Sequence, residues 1–383
     1  MKENLYFTEE HIMLRDMVKD FANNEVKPLA QELDEKGEFP YKSIEKMAEL
    51  GLMGIPWEEK YGGTGMDILA LVIAIEEIGK VCCSTAATMM AHTSLGTAPI
   101  ALFGTSEQKE KYMPGLASGK KIGAFGLTEP NAGSDAGNTQ TRAVLEGDYY
   151  IVNGEKSYCT NAGVSSVLIF TAMIVDGGKE KGISAFVVES NTKGISFNPP
   201  EKKMGWRASD TRSVFFKDMQ IPKSAILGNP KDGFKQFLQT LTSGRITIGA
   251  LSLGTAQGAF NRALLYSNER EAFGKSINKF QGVSFKLSDM ATQIEAAKHL
   301  VYHVAWMKDQ GLSVIREASM AKLFASETAM KVTTEAIQVL GGFGYIKEYD
   351  VERFFRDAKI LEIGEGTSEI QRMVISRDIL KEV

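Results

Sequence analysis

The chain has 383 residues, 43% of them hydrophobic and 24% charged, with a formal net charge of −4; that balance excludes a general electrostatic hold on nucleic acid or anionic lipid. Its longest apolar run, residues 68–75, stops at Glu76 and is far too short to cross a bilayer. Three cysteines, two of them adjacent at Cys82 and Cys83, form no disulfide framework and share no metal-ligand spacing, so a cytoplasmic location with no targeting segment is expected.

A chain of this length exceeds one compact core and predicts two or three packed units. Amphipathic spacing starts with Ile12, Met13, Met17, Val18, Phe21 and Val26, and residues 1–120 read as helices broken by glycine and proline at 37–40, 62–65 and 104–105. Over 121–228 the pattern changes to short β-branched and aromatic runs at 149–152, 167–170, 185–188 and 213–216. Beyond Asp232, within a last block of 229–383, long helical runs return, through 244–270, 280–310 and 314–340, before a glycine-rich break at 341–344. The plan is helix, sheet, helix, an α+β chain in which each block exposes an apolar face to the others. The cleft between the sheet and the last helices is the natural ligand site.

Several segments carry candidate chemistry. Residues 126–135 pack turn formers around Thr128 and Ser134, as either a hairpin turn or a loop presenting donors to a flat heterocycle. A second strand exit offers Tyr158, Thr160 and Asn161, with the ring either core or a ligand platform. Arg270, ahead of Phe273-Gly274 and Phe280-Gln281, is a solvated helix-end arginine or a pyrophosphate clamp. The run from Gln338 through Gly341 and Gly342 is a glycine C-cap or a bare backbone that a ligand can approach.

Near the C-terminus Glu365 stands between Gly364 and Gly366, with Ser368 and Gln371 reading as a capping box for the last helix. An anchored carboxylate near apolar surface has its pKa raised toward working pH, as removal of a proton from carbon requires; an ordinary acidic loop residue is the other reading. No G-x-G-x-x-G, P-loop or G-x-S-x-G is present. His299 and His303 lie one helical turn apart without a third ligand, so no metal is expected.

Taken in order, residues 127–135, 270–281, 338–345 and 365–369 resemble the acyl-CoA dehydrogenase family, and the similarity runs essentially end to end. The resemblance implies an N-terminal helical domain (1–120), a middle antiparallel β-sheet domain (121–228) and a C-terminal four-helix bundle (229–383). It also implies an FAD enzyme that oxidises an acyl-CoA thioester to the trans-2-enoyl-CoA. By position Glu365 would remove the α-proton while the β-hydrogen leaves as hydride to flavin N5. Its own amide would serve the thioester carbonyl, and Gly366 would border the thioester.

Phe125, Leu127, Thr128 and Ser134 would line the isoalloxazine, Ser134 also lying near the CoA arm, and Tyr158 and Thr160 would cover the flavin. Arg270, Phe273, Gln281, Gln338, Gly341, Gly342, Thr367 and Glu369 would hold the pyrophosphate and adenosine end, some of them across a subunit interface. Arg245, and Thr242 at a position often acidic in relatives, would lie near the CoA moiety. The family further implies a homotetramer that passes electrons to electron-transferring flavoprotein, with roles in fatty acid metabolism and beta-oxidation.

Two departures bear on substrate. Some relatives carry their base one position before the Arg245 equivalent, but here that residue is Gly244, which leaves Glu365. A tyrosine commonly precedes the base, and here Gly364 does, so a short-to-medium, branched or cyclic acyl group is expected. Cys159 stands for a usual isoleucine beside the flavin. An acyl-CoA oxidase, an enoyl-CoA reductase and a non-catalytic flavin- or CoA-binding scaffold are the alternatives. The oxidases are expected to carry a longer C-terminal extension.

Overall fold

The computed structural model describes residues 5–381; the ends of the first and last expected domains, 1–4 and 382–383, lie outside the described residues. The first helices are α1 (Glu9–Phe21), α2 (Lys27–Lys36), α3 (Tyr41–Glu49), α4 (Ile68–Gly79), α5 (Cys83–Met90), α6 (Ala98–Phe103) and α7 (Ser106–Ala117). The strands β1 (Gly123–Gly126), β2 (Arg142–Glu146), β3 (Tyr149–Thr160), β4 (Val167–Asp176), β5 (Lys179–Glu189), β6 (Ile195–Phe197), β7 (Thr211–Pro222) and β8 (Ile226–Leu227) follow. After them come α8 (Gly233–Glu269), a hairpin of β9 (Glu271–Ala272) and β10 (Lys275–Ser276), α9 (Gln281–Asp309), α10 (Ile315–Leu340), α11 (Val351–Ala358) and α12 (Ser368–Ile379).

Helix α4 begins where Asp67 accepts from the Ala70 N–H at 2.8 Å, and every residue from Leu69 to Gly79 is buried. A helix without a polar face has to lie centrally, and α4 packs on both α8 and α9. One hydrophobic core therefore runs through both helical blocks, joining Leu69, Val72 and Ile75 to Ile246, Leu253, Val301 and Ala321. Among the last helices α10 packs against α8, α9 and α12.

The main sheet runs β6-β7-β3-β2-β4-β5-β8, with β1 also pairing with β4. The expected antiparallel pairing holds for β2/β3, β3/β7, β4/β5, β5/β8 and β6/β7, but β1/β4 and β2/β4 are parallel, so the sheet is mixed. The reason is topological: β4 skips β3 to lie beside β2, and two chain reversals restore the direction. β1 and β2 thus share one edge of β4, Gly126 opposite Phe170 and Arg142 opposite Met173, while residues 127–141 loop out between them. Along β4 Val167 and Ile169 face α6, α7 and α8, whereas Leu168 and Phe170 face the other side with Val214 and Phe216. Period-two alternation buried on both faces explains the unbroken apolar run.

Candidate active site

Beyond α11 a short turn ends where the Gly364 N–H donates to Ile360 O at 2.8 Å. The chain then reverses through two consecutive left-handed residues, Glu365 (φ 56°) and Gly366 (φ 92°). A non-glycine residue in that region is uncommon and persists only where its surroundings hold it. Here the hold is explicit: Gln371 Nε2 donates to Glu365 O at 3.1 Å and to Gly366 O at 2.8 Å, and Lys322 Nζ donates to Gly366 O at 2.9 Å.

The expected Ser368–Gln371 capping box does not form. Thr367 is the N-cap, accepting from the Ile370 N–H at 3.3 Å, and Ser368 is already helical. The left-handed pair moves the extended capping conformation to Thr367, and Gln371 serves instead as the donor that closes the loop.

The Glu365 carboxylate is directed at α8. A Cβ built on Gly244 would stand 2.1 Å from Glu365 Oε2, so the missing side chain at 244 is what admits the carboxylate. Oε2 is buried without a hydrogen-bond partner, although the residue as a whole keeps partial exposure. Burial pushes the Glu365 carboxyl up to about 7, opposed by the positive charges of Arg245 and Lys322. Burial also lowers Lys322 to about 8, and it lowers Arg245, whose Nε is buried without a partner. A carboxylate titrating near neutrality, with one oxygen buried and unpartnered and two cations acting on it, is equipped to accept a proton from carbon. Thr242, the other expected CoA contact on α8, turns its hydroxyl back to Leu238 O at 3.2 Å.

A second group of residues gathers where the loop leaves β1. Phe125 stacks on Phe237 of α8, ring centroids 4.1 Å apart, so its ring is spent on packing. Leu127 and Thr128 are half-buried and Ser134 is exposed. On β3 the register slips between Lys156 and Cys159, and this irregularity turns Tyr158 outward at φ 55° with 69% exposure, while Thr160 is half-buried.

Sequence reasoning missed what holds this loop. Glu129 is buried, accepting from Gln140 N at 2.6 Å, Thr141 N at 3.1 Å and Lys156 Nζ at 2.6 Å, and Lys156 Nζ also reaches Leu127 O and Thr171 Oγ1. A buried ion left without its partner destabilises by about 3–5 kcal/mol. Lys156→Met should lose that much in urea unfolding, and adding Glu129→Gln should recover at least half of it. A loss below 1 kcal/mol would show that the pair is not what fixes the loop.

The third group is separate. Arg270, Gly341 and Gly342 line one cavity of about 430 Å³ with Tyr266, Ile277 and Phe343, and Glu365 is not among its walls. The Arg270 guanidinium lies 5.6 Å from the Phe343 ring centroid. A Cβ at Gly341 or Gly342 would meet nothing within 4 Å, so the backbone there lies open. Phe273 is 94% exposed at φ 52° and meets Phe280 edge-on, while Gln281 opens α9 and Gln338 lies exposed on the last turn of α10. An arginine above bare backbone suits a diphosphate, and exposed aromatics suit a planar base; these residues fit a dinucleotide. Thr367 is committed to its cap and Glu369 is exposed.

Family models for the acyl-CoA dehydrogenase N-terminal, middle and C-terminal domains match residues 8–120, 124–219 and 231–380. The chain is 51% identical over 381 residues to the Bacillus subtilis protein named probable acyl-CoA dehydrogenase YngJ, covering 99% of this chain and 100% of that one. It is 50% identical over 374 residues to the short-chain specific acyl-CoA dehydrogenase of Clostridium acetobutylicum, covering 98% and 99%. A solved chain described under electron transferring flavoprotein of Acidaminococcus fermentans superposes with a TM-score of 0.96 at 46% identity, covering 99% of this chain and 100% of that one. Butyryl-CoA dehydrogenase from Megasphaera elsdenii superposes with a TM-score of 0.95 at 43% identity, with the same coverage.

Proposed function

The chain belongs to the acyl-CoA dehydrogenase family, and from that premise we propose that Glu365 is the base that removes the α-proton of an acyl-CoA thioester. It is an FAD-dependent oxidoreductase, as the family is. The observation that carries the reading is the buried, unpartnered Oε2 seated against Gly244. A carboxylate poised near neutrality has both the vacancy and the basicity to take the proton. The amide of Glu365, held in the left-handed turn, supplies a donor to the thioester carbonyl, and Gly366 borders the thioester. Arg245 and Thr242 lie toward the CoA moiety.

FAD, when bound, supplies the two-electron acceptor for the β-hydrogen. Phe125, through its backbone, and Leu127, Thr128, Ser134, Tyr158 and Thr160 would hold its ring. Thr367 and Glu369, together with Arg270, Phe273, Gln281, Gln338, Gly341 and Gly342, would hold the rest. The cavity of Arg270 lies apart from Glu365 within one chain, which supports completion of each site by a second copy in a homotetramer. Exposed Phe285, Trp306, Phe324 and Met373 on α9, α10 and α12, with Leu380 just past the end of α12, provide apolar surface for that assembly. Electron-transferring flavoprotein is the proposed acceptor. Among the described residues no helix is long and apolar enough to cross a membrane, and the three cysteines are free and buried, in keeping with the reducing cytoplasm.

The proposed substrate is a short-to-medium acyl-CoA, branched or cyclic. A Cβ at Gly364 would touch only Ile360 O, at 3.4 Å, and its backbone is not left-handed, so a side chain is tolerated there and its absence leaves room. Gly364→Tyr should fold normally and cut kcat/KM for isovaleryl- and alicyclic acyl-CoA by about 10- to 100-fold more than for butyryl-CoA. A wild-type enzyme that clearly prefers butyryl-CoA would overturn the assignment. Anaerobic addition of acyl-CoA tests the reaction itself: bleaching of the bound flavin is expected, and bound but unreactive flavin would favour a scaffold.

A further inference from the structure

Lys322 lies in the first third of α10, and its neighbours one turn away, Ala318, Ser319, Ala325 and Ser326, are all buried like the lysine itself. Both serine hydroxyls donate to carbonyls of their own helix, Ile315 O and Leu323 O, and an ammonium among such small buried side chains is expensive to bury and is retained only where it meets a partner. Its hydrogen-bond partner is Gly366 O, one residue past the carboxylate, at 2.9 Å. Gln371 Nε2 holds the same oxygen at 2.8 Å. A neutral donor therefore already ties the loop mechanically, and what the lysine adds is its charge.

We propose that Lys322 is a positioning residue for proton abstraction: it grips the Gly366 carbonyl from behind and keeps a fixed cation beside the Glu365 carboxylate, favouring the ionised, proton-accepting form. The proposal rests on Glu365 being the base. The charged groups around the pair are Arg245 on α8, which faces the carboxylate, Glu362 on the turn before the loop and the exposed Glu369 on α12. The two cations oppose the effect of burial on Glu365, and the acids act on the lysine. Removing the Lys322 charge leaves Arg245 alone against burial, so the carboxyl must titrate at higher pH. Lys322→Gln keeps a donor without charge, Lys322→Met keeps neither, and Lys322→Arg keeps both.

The test follows two signals in the FAD-loaded enzyme. One is the acid limb of the kcat/KM profile. The other is the protonated-carboxyl infrared band against pH, with Glu365→Gln as the blank. Lys322→Gln and Lys322→Met should raise the midpoint by about one pH unit or more, with Lys322→Arg close to wild type. An unmoved midpoint in Lys322→Gln, or an equal shift in all three variants, would overturn the proposal. If the infrared midpoint moves while the kinetic limb does not, Lys322 still tunes the carboxylate, and the assignment of Glu365 as base fails instead.

Discussion

Glu365→Gln is expected to give a folded, yellow protein whose turnover falls by at least the 10²–10⁴-fold typical of losing a general base. The amide preserves shape and the left-handed turn, whose ties run to backbone carbonyls and not to the carboxylate. In the wild-type enzyme kcat/KM should rise with pH through a midpoint near 7, the value to which burial pushes this carboxyl, because only the ionised form accepts a proton. Stability moves oppositely. Burial raises the folded-state value above the ordinary 4.5, so between about 4.5 and 7 the native state keeps a proton that the unfolded chain releases, and stability falls as pH rises. At ~1.4 kcal/mol per pKa unit the loss reaches about 3 kcal/mol and is constant above pH 7. Glu365→Gln should therefore match wild type in unfolding near pH 4 and exceed it near pH 8. Normal turnover, or no stability gap at pH 8, would remove the carboxylate from its assigned place.

Gly244→Ala should separate folding from catalysis. The new Cβ would stand 2.1 Å from Glu365 Oε2, 3.0 Å from Cδ and 3.5 Å from Oε1, so the three atoms nearest to it all belong to that carboxyl group. The far end of one side chain must retreat by about 1 Å or more to reach van der Waals distance. The helix itself gains, since alanine within α8 is worth up to about 1 kcal/mol over glycine. Thermal unfolding should thus be unchanged or slightly raised while kcat/KM drops by about 10²-fold, the scale of an ångström-level misplacement of a reacting group. Combined with Glu365→Gln, the substitution should add little, because both act on one group. Full activity in Gly244→Ala would mean that the carboxylate works from another position.

The helix–sheet–helix order was legible because hydrophobic periodicity changes from 3.6 to 2 and back, and the tight loop that carries Glu365 into α12 was legible because two glycines flank it beside a helix start. Other features depend on partners distant in sequence. Pairing of β2 with β4 across an intervening strand leaves no mark in either strand's pattern. Lys156 looks like a solvated strand lysine until Glu129 is placed against it. Lys322 stands among small residues at helical spacing, Ala318, Ser319, Ala325 and Ser326, and that local signal could have been read as a buried cation. The return to helix beyond Asp232 was legible as well, and α8 starts there at Gly233. The Thr367 cap could not be separated from Ser368 until the preceding left-handed pair fixed the entry angle.

The core shared by α4 with α8 and α9 governs what happens during synthesis on the ribosome. When the first third emerges, α4 has α1 and α5 to pack on, but the partners of Leu69, Val72 and Ile75 farther along the chain, Ile246, Leu253 and Val301, are not yet made. The nascent helices must wait through translation of the whole sheet, carrying exposed apolar surface of the kind that chaperones bind. Maturation is thus a closing of the first helices upon the last, and the carboxylate finds its recess only once both blocks are in place.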